Sequence, residues 1–469
     1  MSKGVIITLK IFSVVSLLII FCFAFYLKSE RGGYTKPTEI NQVQAQTTSC
    51  DAMPNNWPQI GRNPQHTGDS PESLGSNFPT RTWTHAFQPD KIYPQVQAII
   101  YCGKLFIGTE GANGKKPALY AFDAQGQDTN GDGKPDKSKI LWTYEADGPI
   151  LGSVAASHDT VVFADMNDNV YALDATQTST PVERWRTSVR GFRRYGFSMS
   201  PVIVDNRVFL GNRNGTFYAL DLSNGDIIWQ KDMGTPLLQT AAADDTNVYF
   251  GGMNMHTYAL NQLNGSQVWD SGELNGAAFK DYWPVVYGGY VFNRAMAFNK
   301  NFFALDITTG VDQSTAINLP QDSGQTMNGA TTPPCVDGDG RLIIPQDITE
   351  TQPVAGWTRS GWGRFDLSTQ TIQRLVDPNN VLAGNGNYDE NMNVTCVNNL
   401  IFAMHTQEGN ANYTGVFNLT NITWTPIGTG HTNRQMFTNT QGGGGNPPSI
   451  SNGWFYHISI HELIARNTN

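Results

Sequence analysis

ALDLSNGDIIW, Ala219 to Trp229, carries the pattern that decides the fold: an apolar strand closing on a small residue, an aliphatic and Asp221, then Gly225, then Trp229. ALNQLNGSQVW, Ala259 to Trp269, repeats it with Asn261 for the Asp. Related strand endings recur as YAFD at Asp123, YALD at Asp174 and Asp221, YALN at Asn261, FALD at Asp306, GRFD at Asp366, VFN at Asn418 and IARN at Asn467. The mean spacing of about 49 residues lies in the range of repeated supersecondary units. Tyr, Phe, Leu, Val and Ile alternate with small residues through each unit, as strands packed on both faces require. Gly225 and Gly265 stand where a tight turn needs positive φ, and the Trp beyond each can cover a neighbouring sheet. A ring of such sheets buries their faces and leaves only short edges.

The motif A-x-D-x-x-x-G-x-x-x-W resembles the tryptophan-docking repeat of the pyrroloquinoline-quinone-type β-propellers. That resemblance implies four-stranded antiparallel blades with each Trp packed between neighbours. Trp142, Trp185, Trp229, Trp269 and Trp424 each follow a signature, while Ile317 and Ile372 stand as aliphatic substitutes in blades five and six. Trp83 has no signature before it, and the signature at Asn467 has no Trp after it. The expectation is an all-β, eight-bladed propeller in which TRTWTHAF (Thr80 to Phe87) supplies the outer strand of the last blade and closes the ring. WPQIGRNPQHTG, Trp57 to Gly68, resembles the family's lead-in to the first blade, with Arg62 and His66 serving closure.

Three regions follow: residues 1–28 as membrane anchor or signal segment, 29–56 as flexible linker and 57–469 as propeller. Ile11 to Leu27 is an uncharged run at the lower length limit of a spanning helix, so an uncleaved N-terminal membrane helix is expected. The propeller then lies outside the cytoplasm, in the periplasm or at the cell surface, or is secreted if the segment is cleaved. Six N-x-[ST] sequons, at Asn214, Asn264, Asn393, Asn412, Asn418 and Asn421, would make a glycoprotein in a suitable host. Sparse charge and a net of −9 argue against a nucleic-acid partner. Of the five cysteines, Cys50 with Cys102 and Cys335 with Cys396 could pair outside the cell, and free buried thiols fit the sequence equally well.

DTNGDGKPD, Asp128 to Asp136, is the sharpest chemical motif. Asp128, Asn130 and Asp132 offer oxygens at alternate positions, Lys134 its carbonyl and Asp136 a further carboxylate, the oxygen ring that Ca²⁺ prefers. The bidentate Glu of an EF-hand is missing, since Lys139 occupies that place. The loop interrupts the turn between AFDAQG and Trp142, so a structural Ca²⁺ is expected. Asp337-Gly-Asp339-Gly340 reads as a plain hairpin turn, and His457 with His461 as strand packing rather than a metal pair.

A ligand site is expected where outer strands pass to the next inner strand, around one mouth of the ring. Those connections carry Arg193, Arg194, Lys280, Asp281, Trp283, Tyr388, Asp389, Glu390 and Arg434, a mixture suited to a protein segment or a glycan. Solvated loops over packed aromatics would give the same composition. The quinoprotein dehydrogenases of this family would imply a quinone held by Ca²⁺. They add an adjacent Cys-Cys pair that this chain lacks, and no C-x-x-C-H haem site occurs either, so the quinone is not expected. The leading expectation is a membrane-tethered, non-catalytic binding or assembly platform, by analogy with family members that scaffold outer-membrane protein assembly. The alternative is a quinone-dependent dehydrogenase or sugar-directed enzyme using the mouth.

Overall fold

The computed structural model describes residues 49–74, 82–93, 95–189, 194–279, 282–295, 301–320, 332–347, 360–375, 394–407, 411–420, 423–426, 447–458 and 461–467. They form eight sheets, each a meander of sequential antiparallel strands. In chain order the blades occupy residues 99–145, 155–188, 202–232, 242–270, 285–306, 335–375, 394–426 and 449–467. Blade five has three described strands, its fourth reduced to a single bridge between Leu305 and Asp312. Trp83–Ala86 pairs antiparallel with Glu462–Asn467 as the outer strand of blade eight, so the chain closes its own ring as the unpaired Trp83 predicted. The expected membrane helix falls outside the described residues, among which no helix is long and apolar enough to cross a membrane.

The docking signature acts between blades. Trp185 of blade two donates its indole N–H to the Leu222 carbonyl of blade three at 2.7 Å. Trp229 does the same to Gln262 at 2.9 Å, Trp269 to Ile307 at 2.8 Å, and Trp83 of blade eight to Gln125 of blade one at 2.9 Å. Each ring lies against the turn glycine of the next blade. A Cβ on Gly225 would come within 2.5 Å of Trp185, and one on Gly310 within 2.5 Å of Trp269. In blades one to four the outer hairpin slips register just before the Trp, leaving Leu141, Arg184, Ile228 and Val268 without a partner in the ladder. Such a bulge re-aims the next side chain, which here turns the indole toward the neighbouring blade. In blade five Ile317 takes the buried role expected of it, beside Leu319 and Phe302.

The inner ends of the blades are laced together by hydroxyls. The amide of Gln97 in blade one donates to Ser153 Oγ at 2.7 Å, Ser153 to Ser200 Oγ at 2.9 Å, and Ser200 to Thr240 Oγ1 at 3.1 Å. Thr240 continues to the Tyr282 carbonyl at 3.0 Å, and Ser449 Oγ of blade eight donates to Ala98 at 2.5 Å. A Ser or Thr here satisfies an edge amide that would otherwise be buried unpaired.

Candidate functional site

Residues 57–72 form a strap that bonds every blade in turn. Trp57 pairs with Ile100, and Ala156 donates to the Pro58 carbonyl at 2.7 Å. The Ile203 amide reaches Gln59 Oε1 at 3.0 Å, Ala243 reaches Pro64 at 2.7 Å, and Val286 reaches Gln65 at 2.9 Å. Val336 donates to Thr67 at 2.8 Å and Cys396 to Gly68 at 2.9 Å, after which Asp69–Ser70 adds a parallel strand to Cys396–Val397. The Glu72 carboxylate finally takes the amides of Asn452 and Gly453 in blade eight, at 2.9 and 2.8 Å. Each blade thus loses an exposed inner edge, the standing hazard of a sheet. The lead-in resemblance pointed to closure at Arg62 and His66; backbone carbonyls do most of the work.

One disulfide anchors the segment ahead of the strap, and a second joins two of the blades that it crosses. Cys50 is bonded to Cys102 in the first hairpin of blade one, and Cys335 to Cys396 between the inner strands of blades six and seven. Both pairs that the sequence left open are therefore disulfides. Ser49 to Asn56, expected as the end of a flexible linker, is held on the propeller, with the Cys50 amide on Asp159 and Asp51 accepting from the Tyr101 hydroxyl.

His66 is buried, its Nδ1 facing the Pro284 carbonyl at 3.2 Å and its ring edge-on to Trp283. Burial holds its pKa down at about 3, and burial with nearby Arg466 does the same for His457. The unfolded chain binds these protons below about 6.5 while the fold refuses them down to about 3, so stability falls as pH drops through that window. From pH 7 to pH 5 each His should cost about 2 kcal/mol, read as a lower urea midpoint. His457→Leu should remove about half of that slope; an unchanged slope would sink the assignment.

Antiparallel meanders send the first and third hairpins of every blade to the strap end. The second turns and the inter-blade connections go to the opposite end, the mouth. Of the expected mouth residues, Arg194 is exposed there and donates to Asn167 Oδ1 at 3.2 Å. Trp283 is buried at 5%, between Tyr282 and His66. Arg193, Lys280, Asp281, Tyr388, Asp389, Glu390 and Arg434 lie outside the described residues. The sequence reading missed Tyr195, 44% exposed beside Arg194. It also missed a position that recurs in the second turn of blades one to four, occupied by Glu110, Met166, Arg213 and Met253. Their amides donate to the carbonyls of Lys91, Pro149, Gly196 and Pro236, which fixes the backbone and leaves the side chain free to vary.

The Asp128 to Asp136 loop is exposed at the strap end and built from successive side-chain turns. Asn130 and Gly131 donate to Asp128 Oδ1, Gly133 to Asp128 Oδ2, Asp132 to Asn130 and Lys134 to Asp132. Those amides lower the Asp128 pKa. Among the described residues no three His, Cys, Asp or Glu side chains converge as metal ligands. Asp337 and Asp339, the other acidic turn, are taken by Arg364. His457 is buried and His461 faces the Asp90 carbonyl at 3.0 Å.

Residues 133–353 match the family model described as outer membrane protein assembly factor BamB. No curated protein matches the sequence. Among solved structures, BamB from Moraxella catarrhalis is 16% identical, with 83% of this chain and 99% of that one covered at a TM-score of 0.50. Quinohemoprotein alcohol dehydrogenase ADHIIG from Pseudomonas putida HK5 is 14% identical, covering 89% of this chain and 81% of that one at 0.57. The quinohemoprotein alcohol dehydrogenase of Comamonas testosteroni is 13% identical, covering 88% and 80% at 0.56. With its indoles docked blade to blade and its ring closed by Trp83, the chain is an eight-bladed β-propeller that over residues 133–353 is similar to the assembly-factor family model.

Proposed function

We propose that the protein is a non-catalytic binding or assembly platform working outside the cytoplasm, tethered to a membrane through its N-terminal segment and engaging a protein or a glycan at the mouth. The observation that carries this reading is the strap. The chain spends its inner edges on closing itself, with the inner strands of blades one to seven bonded to residues 57–70 and the first turn of blade eight to Glu72. The assembly-factor family match supports it, and two disulfides suit an oxidising compartment.

The dehydrogenase reading draws on the two alcohol dehydrogenase neighbours, whose resemblance is one of fold. The donor set needed to hold a quinone does not match the described residues. Cys50 is joined to Cys102 from the segment before blade one and Cys335 to Cys396 across blades six and seven, neither an adjacent pair, and the hydroxyls of Ser153, Ser200 and Thr240 are occupied in bonds between blades. Two experiments separate the readings. Photo-crosslinkers at Arg194 and at Met53 are placed in the full chain in its native envelope, the captured partner is identified, and binding is repeated with the purified pair. Capture from Arg194 and not Met53 is expected; alcohol or sugar oxidation by the purified protein with added quinone and Ca²⁺ would overturn the platform.

We further propose that the Asp128 to Asp136 loop takes one structural Ca²⁺, through Asp128, Asn130, Asp132, the Lys134 carbonyl and Asp136. The run of side-chain turns supports this, because it sets Asp128, Asn130 and Asp132 in one short exposed loop with Asp136 held across it by Thr129. Calcium at a hundredfold excess over its Kd should stabilise the fold by about 2.7 kcal/mol, read from urea midpoints with Ca²⁺ or with chelator. Asp132→Ala should abolish the difference, and equal midpoints in the parent protein would refute the site.

A further inference from the structure

Residues common to every blade build the ring, so recognition must use positions where the copies differ. The second-turn position is such a place, since its backbone bond is constant while its side chain runs Glu110, Met166, Arg213, Met253 through blades one to four. Methionine gathers at this end. Met166, Met199, Met233, Met253 and Met255 all stand on its turns or connections, with Met166, Met233 and Met253 half-buried and Met199 and Met255 buried beneath. Met53 is the described methionine on the strap end.

Blade three lies between the blades whose second turns carry Met166 and Met253, and its own second turn carries the exposed Arg213 while the connection leading into it carries the exposed Arg194 and Tyr195. The Arg213 amide bonds the Gly196 carbonyl, which holds blade three's turn against the connection that carries Tyr195. The carboxylates below are already occupied. Asp168, 2% exposed, accepts from the amides of Tyr195 and Gly196 and from Asn212, while Asp165 takes Asn167, Asn169 and the Tyr171 hydroxyl. Two exposed guanidinium groups therefore stand over saturated acids in a chain whose net charge is −9.

We propose that the mouth over blades two to four binds an extended polypeptide segment carrying aromatic residues flanked by carboxylates. Thioethers are polarisable, adapt to varied shapes, and contact aromatic rings at about 0.3 to 1.5 kcal/mol each. Tyr and Arg are the side chains that most often dominate binding surfaces, and the Arg fork matches a carboxylate. Charge decides the flanking residues, because Arg194 and Arg213 favour an acidic segment and disfavour a basic one. The proposal rests on the platform reading and adds the chemistry of its partner.

The test uses the purified chain and a fluorescein-labelled peptide, Ser-Glu-Phe-Glu-Tyr-Glu-Phe-Ser, with two relatives in which Ala replaces the aromatics or Lys replaces Glu. The parent peptide should bind and both relatives should bind at least about tenfold more weakly, a difference of about 1.4 kcal/mol. Tyr195→Ala and the pair Met166→Ala with Met253→Ala should each weaken the parent peptide about tenfold. Arg213→Glu should weaken it and strengthen the Lys peptide, while Met53→Ala changes nothing. These are surface or half-buried positions, so an unchanged thermal midpoint certifies each variant. No binding by the parent peptide, or binding indifferent to these substitutions, overturns the inference. A partner captured from Arg194 without peptide binding would defeat this inference alone, whereas peptide binding with catalytic turnover would defeat the platform alone.

Discussion

Replacing Cys50, Cys102, Cys335 and Cys396 together by Ser is expected to leave a chain that does not hold its ring at 37 °C. Each disulfide closes a long loop, with sequence separations of 52 and 61 residues. By chain entropy, loops of that length stabilise the fold by roughly 4 kcal/mol each. The loops do not overlap, so their contributions should nearly add, and the total rivals the stability of about 5 to 15 kcal/mol typical of a folded protein. Position adds to length. Cys335–Cys396 joins the inner strands of blades six and seven where Thr67 and Gly68 cross them, and the Gly68 Cβ site lies 3.2 Å from Cys335 Cβ. Cys50–Cys102 fixes the strap before it meets its first blade. Either pair removed alone should lower unfolding free energy by about 4 kcal/mol in urea, and both removed should give a largely unfolded chain at 37 °C. A midpoint insensitive to both replacements would show that the strap's hydrogen bonds suffice and that the disulfides add nothing.

The ring was legible in the sequence because its determinants repeat. Asp221, Gly225 and Trp229 recur with fixed spacing, and Trp83, which no signature precedes, supplies the outer strand for the last signature, at Asn467, which no residue of the chain's end could complete. The bulge before each Trp was not legible, since Leu141, Arg184, Ile228 and Val268 share no chemistry; what recurs is a missing ladder partner. Nor was the strap's reach around all the blades, for its contacts are carbonyls of Pro58, Pro64, Gln65, Thr67 and Gly68, which any residue supplies. Trp283 looked like a mouth residue by its place in a connection, and packing against His66 and Tyr282 puts it inside. Tyr195 and Arg213 were missed for the opposite reason, because a site made where copies differ leaves no period to find.

Trp185 and Gly225 offer the sharpest test of how the blades are joined. Trp185→Ala removes a buried indole and leaves a cavity, which costs about 3 to 5 kcal/mol, and it leaves the Leu222 carbonyl without its donor. Gly225→Ala fails for two reasons. Its φ of +77° costs an L-residue about 1 to 2 kcal/mol. The new methyl would sit 2.5 Å from Trp185 Cε3 and 2.6 Å from Thr187 Oγ1, and such overpacking costs about 1 to 3 kcal/mol more. If the indole and the turn form one unit, the combined variant must be less destabilised than the sum, because the methyl then enters space the indole has vacated. The coupling should be about 1 to 3 kcal/mol in a urea double-mutant cycle. The backbone term survives in the combined variant, as does the approach to Thr187, so the two losses do not cancel. Strict additivity would mean that the Trp and the Gly act separately, and that the repeat's spacing records two local preferences rather than one joint between blades.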